Sequence, residues 1–219
     1  MNLYLVRHGQ SQGNVNPGNG GDDPTLTELG FEQARQVGIR LANVKFDCII
    51  ASPLRRALAT ANEIAIRQPD GPAPVEILPD IMECGTDPTF VPLPHEELLK
   101  ICPTALPYSI PTAAGGNETL PEEYGDLHMY LARAHRVISY LRRRFPDAEN
   151  VAVVAHGVLI SRLVVAGLRF PYPDHFNFQH DNTAVTQIRY IKMEDHIHTR
   201  LAFLNDTSHL YHAGLSKGV

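Results

Sequence analysis

The chain opens on a short, largely apolar run, Asn2 to Val6 in NLYLV, which gives way at once to Arg7, His8 and Gly9. A polar, glycine-rich stretch through Gln10, Ser11, Gly13 and Asn14 follows. A continuous apolar run of this length fits a strand buried on both faces of a parallel sheet. Residues 10–24 are expected to be loop, ending at a helix start marked by Thr27 and Glu28. Ala34, Val37, Gly38 and Leu41 then share one helical face. A second strand is predicted at Cys48 to Ala51, with Ser52 and Pro53 as N-cap and first helical residue of a helix carrying Leu54, Ala57, Leu58, Ala61 and Ile64. Pro69 to Pro74 break that helix, and Val75 to Leu78 read as a third strand leading to Asp80, Met82 and Glu83.

From Cys84 to Pro121 the periodicity dissolves, and seven prolines fall there: Pro88, Pro92, Pro94, Pro103, Pro107, Pro111 and Pro121. A stretch this long and irregular reads as a packed lid insertion, with Phe90, Leu93, Leu98, Ile101 and Leu106 as a candidate apolar pocket wall and Glu118 at its mouth. Leu127, Tyr130, Leu131, Ala134, Val137, Ile138, Leu141 and Phe145 form the stripe of a long helix. Arg142, Arg143 and Arg144 at its end complement the helix dipole. Val151 to Ala155 is a fourth strand that breaks at His156 and Gly157 into a helix with Leu159, Ile160, Leu163 and Val164. Thr183 to Lys192 and His198 to Leu204 form a closing hairpin. Strand and helix alternate through the first four strands. The expected fold is therefore α/β, a three-layer α/β/α sandwich whose mostly parallel sheet has an antiparallel edge and a lid insertion at about 84–121. Its 219 residues fit one domain.

Composition changes this picture only by exclusion. A hydrophobic share of 43% and a charged share of 20% exclude disordered and fibrous classes. A net charge of −5 offers no general attraction to nucleic acid or anionic membranes, so any anion must be held by a local cluster. Cys48, Cys84 and Cys102 are odd in number and unpaired in spacing, which argues against a disulfide framework and a thiolate zinc site. With no long apolar span and no signal-like N-terminus, a cytoplasmic protein is expected.

Chemistry gathers at the strand ends: Arg7 and His8 after the first, Arg55 and Arg56 after the second, Glu83 after the third, His156 after the fourth. Parallel strands bring all four ends to one edge, where open α/β sheets bind ligands. Arginine supplies a forked, permanent charge suited to phosphate, and a neutral imidazole can act as nucleophile or base. Gly9 is expected to let a ligand approach the backbone closely. The remaining histidines lack metal-ligand spacing and read as surface or structural residues, His209 as the anchor of a terminal strand. Asn182 and Thr183 suit a turn near the active edge.

In order along the chain, LYLVRHGQSQGN, LTELGFEQA, SPLRRALATA, VAVVAHG and NDTSHL resemble segments of the histidine phosphatase superfamily, which includes the cofactor-dependent phosphoglycerate mutases. The resemblance implies that His8 is the nucleophile that becomes phosphorylated. It implies that Arg7, Arg56, a protonated His156 and Gly157 hold the phosphoryl group, with Asn14 a further contact. Arg55 is then a solvated helix residue. Aligned on Leu78, the family's acid corresponds to Asp80; aligned on the Pro79, Ile81 and Glu83 spacing, it corresponds to Glu83, which is preferred because Asp80 lies close to the strand body and reaches less far. The implied enzyme is a phosphomonoester hydrolase that uses neither metal nor cofactor, takes a small phosphorylated substrate and releases inorganic phosphate. The alternatives are a mutase-type phosphoryl transferase and a noncatalytic phosphate-binding module. MECGTDPTFVPLP lacks the tyrosine and basic residues that mutases place after this strand, so hydrolysis is favoured.

Overall fold

The structure, a computed structural model, describes all residues except 19, 20, 22, 88, 89, 109–126, 147, 148, 172–176 and 216–219. One seven-stranded sheet runs in the order β4-β3-β2-β5-β1-β6-β7. Its strands are β1 (Asn2–Arg7), β2 (Cys48–Ala51), β3 (Val75–Ile77), β4 (Ala105–Tyr108), β5 (Asn150–Ala155), β6 (Val185–Lys192) and β7 (Ile197–Asp206). The pairings from β4 through β1 are parallel, and β6 and β7 add the antiparallel edge. The helices are α1 (Gln12–Val15), α2 (Glu28–Leu41), α3 (Arg55–Ala65), α4 (His95–Ile101), α5 (Leu127–Arg144), α6 (Gly157–Leu168) and α7 (Ser208–His212).

Side chains that alternate along β5 build two cores. Val151, Val153 and Ala155 join Leu3 and Leu5 against α5 and α6, while Ala152 and Val154 join Val6 and Ile49 against α2 and α3. A strand buried on both faces has no polar position to alternate, which is why these strands read as unbroken apolar runs. Register then aligns the strand ends. Arg7 pairs with Ala155, and Ala51 pairs with both Val154 and Ile77. The chain therefore leaves β1, β2, β3 and β5 along one edge, at His8, Ser52, Leu78 and His156.

Four expectations need correction. The segment expected to be loop between residues 10 and 24 contains the single-turn helix α1, held by a capping box between Ser11 and Asn14. Ser52 and Pro53 do not start α3. Its first residue is Arg55, whose N–H bonds the Asp23 carboxylate at 3.0 and 3.3 Å, so a carboxylate distant in sequence caps the helix. The expected lid at 84–121 holds regular structure. β4 extends the parallel sheet by a fifth strand, and Leu98, Cys102 and Ala105 are core, so Leu98 lines no pocket. A four-residue strand containing Pro107 carries too little periodicity to show in sequence, and proline is tolerated there because β4 is an edge strand. Glu118 and residues 109–126 lie outside the described residues. Finally, His209 anchors a helix, α7, rather than a strand, through Thr183 Oγ1 at 3.1 Å and Arg40 Nη1 at 3.2 Å.

Candidate active site

The nucleophile candidate is held from three sides. His8 follows the last residue of β1, and its N–H bonds the Ala155 carbonyl at 3.0 Å. Its own carbonyl accepts from Thr183 N at 3.2 Å and from Asn182 Nδ2 at 3.1 Å. Thr183 makes this bond from a left-handed conformation, φ 54°, which a β-branched residue adopts at a cost. The next peptide is fixed by Gly9 N donating to Thr60 Oγ1 at 3.1 Å. Gly9 itself leaves room for protein and not for ligand, correcting the expectation above: a Cβ there would lie 2.3 Å from the Gly30 carbonyl oxygen at the start of α2.

The imidazole of His8 is almost wholly buried. Its Nδ1 lies 2.6 Å from the Gly9 carbonyl, an acceptor only, so Nδ1 carries the proton and Nε2 keeps its lone pair. Arg56 Nε donates to that lone pair at 3.2 Å. Burial first, then the charges of Arg56 and Arg7, push His8 well below the ordinary histidine range and hold it neutral.

His156 sits 5.1 Å from His8, ring centre to ring centre, at the junction of β5 and α6. It too is driven well below its ordinary value, by burial and then by Arg56, His8, Arg7 and Arg133. The protonated His156 expected from the resemblance is therefore a neutral imidazole here: a cation enclosed among arginines is unfavourable. Its Nε2 lies 2.8 Å from Ser52 Oγ. Arg7 Nη1 donates to the His180 carbonyl at 2.7 Å. Gly157 opens α6 against the Arg7 guanidinium, where a Cβ would come 3.4 Å from Nε. Buried polar atoms here that lack a hydrogen-bond partner include Arg7 Nε, His156 Nδ1 and Arg56 Nη1, the last with the Asp23 carboxylate 3.7 Å away. Unpaired buried groups of this kind are uncommon in folded proteins and suit an oxyanion.

Glu83 reaches the same place from the end of β3. Its carboxylate accepts from Cys84 N at 2.8 Å and, at the first turn of α6, from Leu159 N at 3.1 Å and Val158 N at 3.4 Å. Its charge acts on both Arg7 and Arg56. Asp80, in the 3-10 turn Pro79–Ile81, feels Arg136 and Arg133 of α5 instead, and burial raises its carboxyl. Asn14 is tied in from α1. Its Oδ1 accepts from Ser11 N and Ser11 Oγ, each at 3.0 Å, and lies 3.4 Å from Asn182 Nδ2.

Arg7, His8, Arg56, His156, Gly157 and Glu83 thus gather at one edge of the sheet, and Asn14 joins them through Asn182. Arg55, expected to be solvated, is half-buried: its Nε is enclosed 3.7 Å from the Asp23 carboxylate that also takes its N–H. Ser52, Thr60 and Asp23 escaped sequence reading as site residues, since a serine before proline, a threonine inside a helix and an aspartate in a loop each have a commoner structural use. Among the described residues, no group of three or more His, Cys, Asp or Glu side chains could hold a metal, and no helix is long and apolar enough to cross a membrane.

Known proteins resemble this chain over most of its length. The adenosylcobalamin/alpha-ribazole phosphatase of Escherichia coli strain K12 is 29% identical over 182 residues, covering 83% of this chain and 86% of that protein. The crystal structure of the alpha-ribazole phosphatase from Shigella flexneri superposes with a TM-score of 0.65 at 24% identity, covering 94% of this chain and 96% of that one, a likeness of fold. A 2,3-bisphosphoglycerate-dependent phosphoglycerate mutase of Methylobacterium sp. (strain 4-46) is 45% identical, but over 75 residues and 32% of this chain. The model of the histidine phosphatase superfamily (branch 1) matches residues 3–202. The chain belongs to the histidine phosphatase superfamily and is a phosphomonoester hydrolase of that kind.

Proposed function

We propose that hydrolysis proceeds through a phosphohistidine on His8, with Arg7, Arg56, His156 and Gly157 holding the phosphoryl group and Glu83 moving the proton. The observation that carries this reading is the state of His8: buried, neutral, its Nδ1 proton spent on Gly9, its Nε2 lone pair turned to Arg56, beside buried Arg7 Nε and His156 Nδ1 that have no hydrogen-bond partner. Nε2 attacks phosphorus in line as the ester P–O bond breaks. Glu83, which must enter the cycle as the protonated carboxyl, passes that proton to the departing alkoxide oxygen and is left as the carboxylate. Water then attacks the phosphohistidine, Glu83 takes its proton, the P–N bond breaks, and inorganic phosphate leaves. Charge spreads over the equatorial oxygens of the phosphoryl group in the transition state, so two fixed guanidinium groups and a neutral imidazole donor supply most of what catalysis needs.

The substrate is a small phosphomonoester, and alpha-ribazole phosphate is one to assay first, because a relative that covers 83% of this chain is an adenosylcobalamin/alpha-ribazole phosphatase. A mutase must shield the phosphohistidine from water until a second hydroxyl arrives, and the mutase match covers only 32% of the chain. A quench of the enzyme during turnover of a labelled phosphomonoester tests the reading. Label should appear on His8, acid-labile and base-stable, and should be absent from His8→Ala, which should also lose hydrolysis. Full activity in His8→Ala would overturn it, and label moved to a second alcohol in place of water would turn it to the mutase.

A further inference from the structure

The mechanism above asks His156 to donate a hydrogen bond while neutral, and a neutral imidazole has only one proton to place. Which nitrogen holds it decides whether the pocket meets an anion with a donor or with a lone pair. The surroundings of Ser52 settle that choice. Ser52 is fully buried at the end of β2, and its Oγ accepts from Leu54 N at 3.3 Å. Its hydroxyl hydrogen has one acceptor among the described residues, His156 Nε2 at 2.8 Å. Were Nε2 protonated instead, Oγ would receive two N–H groups and the serine hydrogen would be buried with nothing to bond, the unfavourable arrangement for an interior hydroxyl. The bare nitrogen would then be Nδ1, a lone pair beside an incoming anion.

We infer that Ser52 is a positioning residue: by donating its hydroxyl hydrogen to His156 Nε2 it holds the proton of the ring on Nδ1, and so makes a neutral histidine a donor to the phosphoryl group. Nδ1 is buried without a hydrogen-bond partner, as is Arg7 Nε, and Arg56 Nη1 has only the Asp23 carboxylate at 3.7 Å; the three form a set that an oxyanion would complete. Rigidity supports the assignment. Ser52 N bonds the Val154 carbonyl at 3.0 Å, and β2 pairs directly with β5, the strand that carries His156. Donor and acceptor are therefore fixed by neighbouring strands of one sheet. The role of Nδ1 toward phosphate rests on the phosphohistidine reading above, whereas the tautomer does not.

Long-range proton–nitrogen correlation spectra of the full chain, labelled with 15N-histidine, read the tautomer directly, with His156 assigned by its loss in His156→Gln. The expected wild-type spectrum has a protonated Nδ1 and a bare Nε2 at neutral pH, and inorganic phosphate should perturb the Nδ1 signal. Ser52→Ala should redistribute the proton toward Nε2. It should also lower kcat/KM and weaken inhibition by inorganic phosphate by roughly ten- to a hundredfold, with Ser52→Thr closer to wild type. A wild-type Nε2 that carries the proton overturns the proposal without need of any variant, and so does a Ser52→Ala spectrum unchanged from wild type. Failure to label His8 in the quench experiment, with the wild-type tautomer as expected, would overturn the phosphohistidine reading and leave the Ser52 assignment intact.

Discussion

Arg56 Nε donates a 3.2 Å hydrogen bond to His8 Nε2, so the arginine of the pocket rests on the lone pair that would attack phosphorus. An entering phosphoryl group must displace that contact and offer the guanidinium an oxygen in exchange. Arg56→Ala should lower kcat/KM for an aryl phosphate by roughly 10²- to 10³-fold, the usual cost of one charge-stabilising donor. Arg56→Lys should recover little, because an ammonium lacks the planar fork that spans His8 and an oxyanion together. Steady-state kinetics check this, and a lysine variant near wild type would contradict it.

Glu83→Gln separates proton transfer from binding. The side chain keeps its size beside Cys84 N, Leu159 N and Val158 N, but it can no longer supply a proton to a leaving oxygen. Alkyl phosphomonoesters, whose leaving groups need that proton, should lose roughly 10²- to 10⁴-fold in kcat. Aryl phosphates with stable phenolates should lose much less. Equal losses on both classes would assign Glu83 to structure alone. Asp80→Asn, which faces α5, should leave kcat nearly unchanged on either substrate.

The buried histidines make stability depend on pH with a definite sign. Burial pushes His180 and His209 down to about 4, and His8 and His156 well below the ordinary range. Between those depressed values and about 6.5 the unfolded chain binds protons that the folded chain does not, so stability is full above about 6.5 and falls as the pH is lowered. Each such histidine adds a slope of up to about 1.4 kcal/mol per pH unit within its window. Asp23 and Asp80, raised by burial, oppose the trend only near the carboxylate range. Urea midpoints at pH 7.5 and 5.0 should differ clearly in favour of the higher pH. Equal midpoints would mean that these rings are protonated in the fold.

Gly30→Ala tests how the His8 loop is braced. A Cβ at Gly30 would meet the Gln10 carbonyl oxygen at 1.9 Å, which no rotamer change relieves because both partners are backbone. Either α2 or residues 9–11 must shift, at a cost of about 1–3 kcal/mol. Since residue 9 accepts the Nδ1 bond of His8, kcat should fall together with the urea midpoint. A destabilised variant with wild-type kcat would show that the His8 loop tolerates the displacement.

Much of this architecture was legible in the residues. Leu3 to Val6 and Val151 to Ala155 read as strands because both faces of each are covered, and Thr27 capped α2 as its position suggested, its side chain accepting from Gly30 N. The hairpin of β6 and β7 followed from its apolar runs about Met193 to Asp195. β4 and α4 stayed hidden because four strand residues and seven helical ones are shorter than the window in which a period declares itself. Ser52 was misread for a different reason. Serine before proline is a common helix start, and only the neighbouring strand shows that its hydroxyl meets His156.

By itself the sequence determined which groups are available and that parallel strand ends would collect them, since apolar runs that stop at Arg7, Ala51, Leu78 and Ala155 allow few other arrangements. Tertiary structure decided what each group is. Burial turned His8 and His156 neutral, α6 took the Glu83 carboxylate onto its first N–H groups, and α5 drew Asp80 into a different field. Those outcomes depend on distance and desolvation between segments far apart in the chain, quantities that spacing along a sequence does not contain.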